Sequence, residues 1–485
     1  MAEAEKKEGG FDPLKIFEWV GKRINKTYDF LIHLIDSSGS DGKLGLQFTP
    51  YYIVLIFAVF FFIWIPLNPH GIAVVAQIVA TFLPFVLPFL LGTLMNEAMS
   101  EYGWLHDYSR RDYVVFEVQL PDEIAQGPYA MELVLRGLYQ TGEINTWWDY
   151  FTGVTKAWFS LEIVSTEGRV RFFIWGRRSY KELIQNQVYA NYPTVQLIEV
   201  EDYTLSVPFD PNEQMIWGTE ERLQKEDPYP ILTYNEFGTI NPETKEEFKS
   251  DPMAAVIEFF GSVGEGEHLW MQFIIRAHEP SGVCPYSAGY TYKDANQHEH
   301  ELHEPIGLEK WSELEINKIV DKVRGEDKKA PVNFNSLTKG DRDKIESIQA
   351  KLNKQPFDTG IRAIYIARND KWRGAPRVGI PSAFRLFEHG SSGRGLNGLA
   401  PIFWVGPFNY PWQDFRGIRR VMLQKRYYEA YVMREFFWPP HKHPWVVLNT
   451  EELATLFHFP GRVVATPNLE RMPSRRGEAP ANLPV

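Results

Sequence analysis

The feature that most constrains this chain is a run of 53 residues, between Lys43 and Glu97, with no Asp, Glu, Lys or Arg. A soluble core does not need such a run, and about 20 apolar residues are enough to span a bilayer. The sequence NPHG divides the run into segments 51–67 and 72–95. We therefore expect a transmembrane helical hairpin over residues 51–95, with a re-entrant hairpin as the alternative.

Four side chains of this region carry specific expectations. Tyr51 and Trp64 suit the two membrane interfaces. Pro84 and Pro88 should kink the second helix, because neither has an amide proton to donate. Lys and Arg flank the run on both sides and are absent from its connecting turn, so the positive-inside rule places both flanks in the cytoplasm.

The preceding residues, 1–50, predict one amphipathic helix. Asp12-Pro13 has the form of an N-cap followed by proline at the first helical position, and apolar residues recur after it at helical spacing. An interfacial helix that leads into the hairpin and an ordinary helix packed on the soluble part both fit this pattern.

Residues 113–204 predict a ferredoxin-like unit. Strands are expected over 113–120, 155–165, 168–176 and 194–200, and helices over 124–139 and 180–189. The order βαββαβ is that of the split-βαβ arrangement, in which two helices cover one face of a four-stranded sheet. The other face, where Val114, Phe116 and Phe159 are expected, must be covered or bind a partner.

Residues 205–450 predict a second α+β unit with a helical insertion. Strands are expected over 229–234, 268–278 and 362–368, and helices over 252–260 and 380–388. The insertion, 279–356, contains two charged helical stretches, 308–324 and 336–354, that suit either a solvated arm or a contact with a partner or another protomer. The whole chain is therefore expected to be α+β, and residues 451–485 to form a connector helix with an extended basic tail.

Charge is distributed unevenly along the chain. The formal net charge is -11, yet residues 201–304 carry 21 acidic and 6 basic side chains whereas residues 361–485 carry 9 acidic and 18 basic ones. This asymmetry favours docking between copies, or a basic surface that meets lipid or nucleic acid. Packing of an acidic module against a basic one explains it equally well.

Motifs for catalysis are weak. Gly-Lys occurs only at 21–22 and 42–43, outside any P-loop pattern, and a single cysteine, Cys284, permits no internal disulfide. His298, His300 and His303 are metal ligands by type, but no regular element aligns all three, so adventitious binding is the preferred interpretation. We expect a protein that is not an enzyme and holds no cofactor.

The final stretch, VVLNTEELATLFHFP followed by a basic, proline-punctuated tail, resembles the connector of large bacterial conjugative-transfer and type IV secretion ATPases. The motifs RRDYVVFEVQLP and RFFIWGRRSYKELIQNQVYANYPTVQLIEVEDY extend the resemblance to the membrane-anchored, non-ATPase half of those proteins. The chain ends at Val485, where the ATPase domain of those proteins begins.

This resemblance implies a scaffold in the bacterial inner membrane that forms homo-oligomers and docks a separate P-loop ATPase for translocation of DNA or protein. The docking residues expected from it are Glu451, Glu452, Phe457, Phe459, Arg475 and Arg476.

The alternative hypothesis is a membrane-tethered protein that binds nucleic acid such as DNA through its basic C-terminal region. Its candidate phosphate contacts are Arg362, Arg368, Arg373, Arg377, Arg385, Arg416, Arg419 and Arg420, with Trp372, Trp404 and Trp412 interleaved among them. A third hypothesis is a metal-dependent enzyme centred on the three histidines.

Overall fold

The computed structural model describes residues 69–121, 124, 126–141, 146, 149, 152–237, 251, 253–293, 299–324, 337–388, 397–403, 405, 414–438, 441–461 and 469–472. These residues belong to two compact units. The described residues 69–95 and 414–419 belong to the first unit, and all the others belong to the second.

The described residues form nine α-helices and twelve strands. The helices are α1 (Pro69–Arg110), α2 (Pro128–Gly137), α3 (Lys181–Asn191), α4 (Met253–Gly261), α5 (Leu308–Arg324), α6 (Lys339–Leu352), α7 (Ala375–Ala383), α8 (Ile418–Val432) and α9 (Thr450–Leu456). The strands are β1 (Tyr113–Pro121), β2 (Phe159–Thr166), β3 (Arg169–Arg177), β4 (Gln196–Val200), β5 (Gln214–Leu223), β6 (Glu267–Ala277), β7 (Thr291–Lys293), β8 (Glu299–Glu301), β9 (Pro356–Arg368), β10 (Leu399–Phe403), β11 (Val446–Asn449) and β12 (Arg471–Met472). The predicted α+β class is confirmed.

The main sheet consists of two half-sheets with the same topology. The first half-sheet runs β1-α2-β2-β3-α3-β4 and has the spatial order β2-β3-β1-β4. The second runs β5-α4-β6-β9-α7-β10 and has the spatial order β10-β5-β9-β6. In each, the first strand lies between the fourth and the third, and all pairings are antiparallel. Strands β2 and β6 join the halves, in register from Phe159↔Ile275 to Thr166↔His268.

The predicted β2–β3 hairpin turns where expected, at Glu167 and Gly168. Both have positive φ, 53° and 87°, which matches the primed turns that suit the twist of two-residue hairpins. Glycine at the second position avoids a clash, because a Cβ there would lie 2.7 Å from the Val263 carbonyl oxygen.

Helices cover one face of the sheet. Side chains from α2, α3, α4, α7 and α9 share a core with alternate residues of the strands. Val114, Phe116 and Phe159 belong to this core and therefore face the helices. The prediction that they lie on the opposite face was wrong. The opposite face is covered by α8 and the segment 436–438, whose Tyr427, Tyr431 and Phe436 pack on Trp270 and Ile364.

Two C-terminal segments, residues 446–461 and 469–472, contact the two half-sheets, and we call them together the staple. β11 pairs with the first residues of β9, from Pro356 to Thr359. On this edge of β9 the pairing with β5 ends at Ile361, so β11 takes the place of β5 there. Helix α9 then contacts α2 of the first half-sheet. β12 pairs with the end of β1, and Glu470 N donates to Val170 O of β3, 3.2 Å away, beyond the last β1–β3 pair. The staple thus fills the equivalent gap, between first and third strands, in each half-sheet.

The second half-sheet corrects one predicted element. Residues 229–234 are not a strand, because the amides of Ile231 and Tyr234 donate to the Glu452 carboxylate and the Thr455 hydroxyl, each 3.0 Å away. The first strand of this half is β5, which lies before the predicted position. The insertion contains α5 and α6, close to the two predicted helices, and the short β7–β8 pair.

Helix α1 covers the second predicted membrane segment. It runs from Pro69 to Arg110 and passes through Pro84 and Pro88, and both prolines are exposed. Tyr51, Trp64 and the first predicted span lie outside the described residues. Within the described part of the chain, none of the helices combines the length and the apolar character that crossing a membrane requires.

Candidate functional site: a buried charged row beneath helix α8

Four polar side chains form a row across the centre of the sheet, on the face opposite the helix layer. Glu220, Arg362, Gln272 and Glu162 lie on β5, β9, β6 and β2, and each is directly opposite the next in the strand register. All four are at most 2 % exposed. Because buried charges are costly unless paired, these four residues, which we call the charged row, need partners inside the protein.

Each member of the charged row is paired within the chain. Arg362 Nε donates to Glu220 Oε1 at 3.0 Å, and His443 Nδ1 lies 2.7 Å from the same carboxylate. Gln272 Nε2 donates to Glu162 Oε1 at 3.1 Å. Burial alone would raise the pKa of Glu220, but the charge of Arg362 and the bonds to His443 hold that pKa below its ordinary value.

The C-terminal end of α8 lies directly over this row. Glu435 N donates to Ala430 O at 3.3 Å and Arg434 N donates to Tyr431 O at 3.2 Å, which together form a Schellman motif. The left-handed position of that motif usually holds glycine, yet here it holds Arg434, with φ of 51°. A side chain at this position therefore needs a compensating interaction.

The Arg434 guanidinium provides that interaction. Its Nε donates to Glu162 Oε1 and its Nη2 donates to Asp202 Oδ1, both at 3.0 Å. Burial alone would raise the pKa of Asp202, but the charge of Arg434 and the hydrogen bonds that the carboxylate accepts from Arg434 and Thr204 hold it below its ordinary value. Arg434 is 1 % exposed, so it is a structural cation and not a surface charge.

The charged row also satisfies the carbonyl groups that end α8. Arg362 Nη1 donates to Ala430 O at 2.8 Å, and Gln272 Nε2 donates to Tyr431 O at 2.9 Å. Arg434 Nη1 donates to Val432 O at 2.8 Å. The last carbonyls of a helix lack partners within the helix and carry partial negative charge, so cationic donors there are favourable. These hydrogen bonds therefore hold α8 in one orientation on the sheet.

Two buried acids beside the row behave differently. Burial raises the pKa of Glu221 and of Glu435 to about 8. Among the described residues, Glu221 Oε1 and Glu435 Oε2 have no hydrogen-bond partner. Both groups therefore hold a proton at neutral pH.

The predicted docking residues divide between the core and the tail. Glu452 is fully buried, forms a capping box with Asn449 and pairs with Lys351 at 3.1 Å. Phe457 and Phe459 are also fully buried and contact Phe172 edge to face.

Glu451, on the same helix, is half-buried and pairs with Lys354 at 2.6 Å. Arg475 and Arg476 lie outside the described residues. The connector motif VVLNTEELATLFHFP therefore forms part of the staple.

The predicted phosphate contacts do not form one group. Arg362 belongs to the buried charged row, and Arg373 binds the Glu267 carboxylate through Nε and Nη2, each at 2.6 Å. Arg377 is exposed on α7. Arg416 and Arg420 are exposed and Arg419 is half-buried, and of these three only Arg420 belongs to the second unit.

The histidine tract does not form a described metal centre. His298 lies outside the described residues, while His300 on β8 stacks on Tyr292 at 5.5 Å and His303 is exposed. Among the described residues no group of three ligands is placed to hold a metal ion. Cys284 is fully buried, and burial raises the pKa of its thiol.

The charged row was missed from the sequence because an acid or arginine in a strand predicts a solvent-facing position. A signal was available in FSLEIVS, where Glu162 is the one charge of the segment, and in RAIYIAR, where Arg362 is followed by a run of five uncharged residues. In a strand buried on both faces, such a charge needs an opposite charge inside the protein, as Arg362 provides for Glu220 and Arg434 for Glu162.

These features define an α+β protein with a continuous sheet of two βαββαβ halves and a buried charged row that fixes a covering helix. The chain belongs to the DUF8128 family, a domain of unknown function whose family model matches residues 104–472. The match begins within α1 and ends at the last residue of β12. No curated protein matches the chain.

Proposed function

We propose that this protein is a membrane-anchored scaffold whose two half-sheets are tandem ferredoxin-like units and which docks a separate P-loop ATPase of a conjugation or type IV secretion-like system. The resemblance of its connector supports the nature of the partner. The exposed apolar surface of α1 supports the anchor, and it is the observation that carries the proposal.

Helix α1 exposes many large apolar side chains. Eight of those described between residues 74 and 95 are each at least 37 % exposed. They are Val74, Phe82, Leu83, Phe85, Leu87, Leu91, Leu94 and Met95. Full burial of one such side chain contributes roughly 1.5–3 kcal/mol, so leaving all eight in water is unfavourable. Lipid is the environment that would cover them, in keeping with the charge-free sequence around them.

The second unit has the character of a rigid platform. Its sheet is covered on one face by helices and on the other by α8 and the segment 436–438, and its central charges are paired internally. The staple ends at Met472, so the basic tail, residues 473–485, follows a segment that is fixed to β1 and β3. A tail fixed at its base suits the capture of a partner.

The anchor is tested by flotation of the full chain with lipid vesicles, compared with a variant that lacks residues 51–95. We expect the full chain to float and to resist carbonate extraction, whereas the deletion variant should stay at the bottom of the gradient. Recovery of the full chain in the soluble fraction would refute the anchor.

The partner is tested by affinity purification of the full chain in mild detergent, with quantitative mass spectrometry. The matched variant ends after Met472, because that truncation keeps the staple intact, and a second variant carries Arg475→Ala and Arg476→Ala. We expect a P-loop ATPase to co-purify with the full chain and to be lost from both variants. An ATPase that is retained by both, or that never appears, contradicts the docking role of the tail.

A further inference from the structure

Two exposed apolar side chains of the second unit lie on opposite faces of the sheet. Leu205 and Val378 are each 71 % exposed, and no other large apolar side chain in the described part of this unit is as exposed. Leu205 lies in the connection between β4 and β5, which packs on the α8 face, where the Tyr428 hydroxyl donates to Thr204 O at 3.1 Å. Val378 lies on α7, whose Ile380 belongs to the core on the other face. The two side chains therefore cannot meet within one chain.

The surroundings of Val378 are basic. The segment 371–387 contains four basic residues and no acid. Arg377 and Arg385 are exposed and, among the described residues, have no ion-pair partner. Leu386, in the 3₁₀ turn that follows α7, is 45 % exposed. We call Arg377, Val378, Arg385 and Leu386 the basic surface.

The surroundings of Leu205 are acidic. The connection 201–213 contains four acids and no Lys or Arg. One of these acids, Asp202, is bound by Arg434. The other three are exposed and form no ion pair among the described residues. We call Glu201, Leu205, Asp210 and Glu213 the acidic surface. It combines an exposed apolar side chain with negative charge, so it complements the basic surface in both respects.

We propose that the acidic surface of one copy of this chain binds the basic surface of a second copy. Because the two surfaces lie on opposite faces of the sheet, a single two-fold contact cannot use both of them, so the contact is head-to-tail. Each added copy then leaves one surface of each kind free, and association continues to a closed ring or a filament. The contact would remove Leu205 and Val378 from water. This inference depends neither on the proposed anchor nor on the proposed ATPase partner.

The test reverses the charges of each surface in the full chain, purified in a mild detergent that covers α1. One surface variant carries Glu201→Lys and Glu213→Lys, and the other carries Arg377→Glu and Arg385→Glu. All four positions are exposed, so both variants should keep the fold, which their thermal unfolding midpoints check. Size-exclusion chromatography with light scattering, at low ionic strength, measures the protein mass of each particle.

We expect the wild type to form particles of more than one chain that dissociate in high salt. A charge-matched control, with Glu309→Lys and Glu313→Lys at exposed positions of α5, should behave like the wild type. Each surface variant alone should be monomeric, because both of its surfaces then carry charge of the same sign. An equimolar mixture of the two surface variants should regain the mass of the wild type, since each altered surface meets the opposite charge on the other variant.

Three results would each overturn the inference. They are a wild type that is monomeric at low ionic strength, surface variants that keep the wild-type mass, and a mixture of the two that stays monomeric. The last result separates a lost contact from a damaged fold, because mixing restores complementary charge but cannot repair a misfolded chain.

Nucleic acid is the competing ligand of the basic surface. Its phosphates would attract Arg377 and Arg385, but they would leave Val378 and Leu386 without an apolar partner and give the acidic surface no role. We therefore expect no binding of duplex DNA of mixed sequence that depends on the two arginines. A monomeric wild type that binds this DNA in a salt-sensitive manner, and loses it with Arg377→Glu and Arg385→Glu, would assign the basic surface to nucleic acid and refute self-association.

Discussion

Arg434 makes two opposing contributions to stability, and its replacement by glycine separates them. The side chain holds the Glu162 and Asp202 carboxylates, whereas the backbone sits at φ of 51°, where a residue with a Cβ is strained. Breaking a buried ion pair costs about 3–5 kcal/mol, because it leaves an uncompensated charge. Relief of the left-handed strain by glycine returns about 1–2 kcal/mol.

Arg434→Gly should therefore lower the free energy of unfolding by about 1–4 kcal/mol, and Arg434→Ala by about 3–5 kcal/mol, because alanine keeps the strain. The assay is urea unfolding of the full chain in detergent, followed by tryptophan fluorescence, with pulse proteolysis as a second probe. Adding Glu162→Gln to the glycine variant should recover part of the loss, since it removes a buried charge left without its partner.

The pKa of Asp202 predicts how the stability lost in Arg434→Gly depends on pH. The folded pKa of Asp202 lies below the unfolded value of about 3.9, so the stabilisation from its pairing is complete above that pH. It decreases as the pH falls through the folded pKa, and the difference between wild type and Arg434→Gly should narrow there. A glycine variant as stable as wild type at neutral pH would refute the assignment of Arg434 as a structural cation.

Three further predictions follow from burial, the staple and the hairpin turn. Glu221→Gln should raise stability at pH 8 but not below pH 4.5. Because the folded pKa of Glu221 is about 8, the wild type loses stability as the pH rises from 4.5 to 8, and the glutamine variant does not. Urea unfolding midpoints measured at pH 4.5 and at pH 8 check this. Truncation after Pro460 should lower the thermal unfolding midpoint, whereas truncation after Met472 should not, and equal midpoints would contradict the role of β12 in the staple. Gly168→Ala should lower the free energy of unfolding in urea by about 1–3 kcal/mol, because the φ of Gly168 is positive and a Cβ would meet a carbonyl oxygen. Gly374→Ala is the control and should change this free energy little, because nothing lies within 4 Å of a Cβ there.

The strands and helices of the first half-sheet could be predicted from local sequence patterns. Its strands alternate apolar residues clearly, and the hairpin turn at Glu167-Gly168 marks the register of β2 and β3. The observed elements lie within a few residues of the predicted ones, because each is specified by its own sequence and by short connections. The order βαββαβ then limited the topology to few alternatives.

The second half-sheet depends on information that is distant in sequence. β5 was missed because QMIWGTEERL contains Gly218 and adjacent acids, which locally favour a loop. Glu220 is tolerated there only because Arg362, 142 residues further along the chain, lies opposite it. The same holds for the covering helix α8, because the donors to its last carbonyls, Arg362 and Gln272, lie on strands that are distant in sequence.

The candidate site shows the same limit. Residue type alone did not show that Arg362, Phe457 and Phe459 are buried. Exposure is a property of the assembled sheet, so a basic or aromatic residue in a sequence cannot by itself be assigned to a surface. Of the predicted phosphate contacts, Arg362 is buried and Arg419 is half-buried, whereas the others are exposed: Arg368, Arg373, Arg377, Arg385, Arg416 and Arg420.

The staple has a consequence for synthesis of the protein. Its strands β11 and β12 are the last strands of the sheet to be translated, yet they fill gaps inside both halves, the first of which is complete in sequence by Val200. Until they arrive, main-chain groups of β1, β3, β5 and β9 are open to pairing with other chains. Sheets closed by such distant segments also form slowly. A nascent chain is therefore most vulnerable to aggregation late in translation, and the ribosome must deliver residues 446–472 before either half is protected.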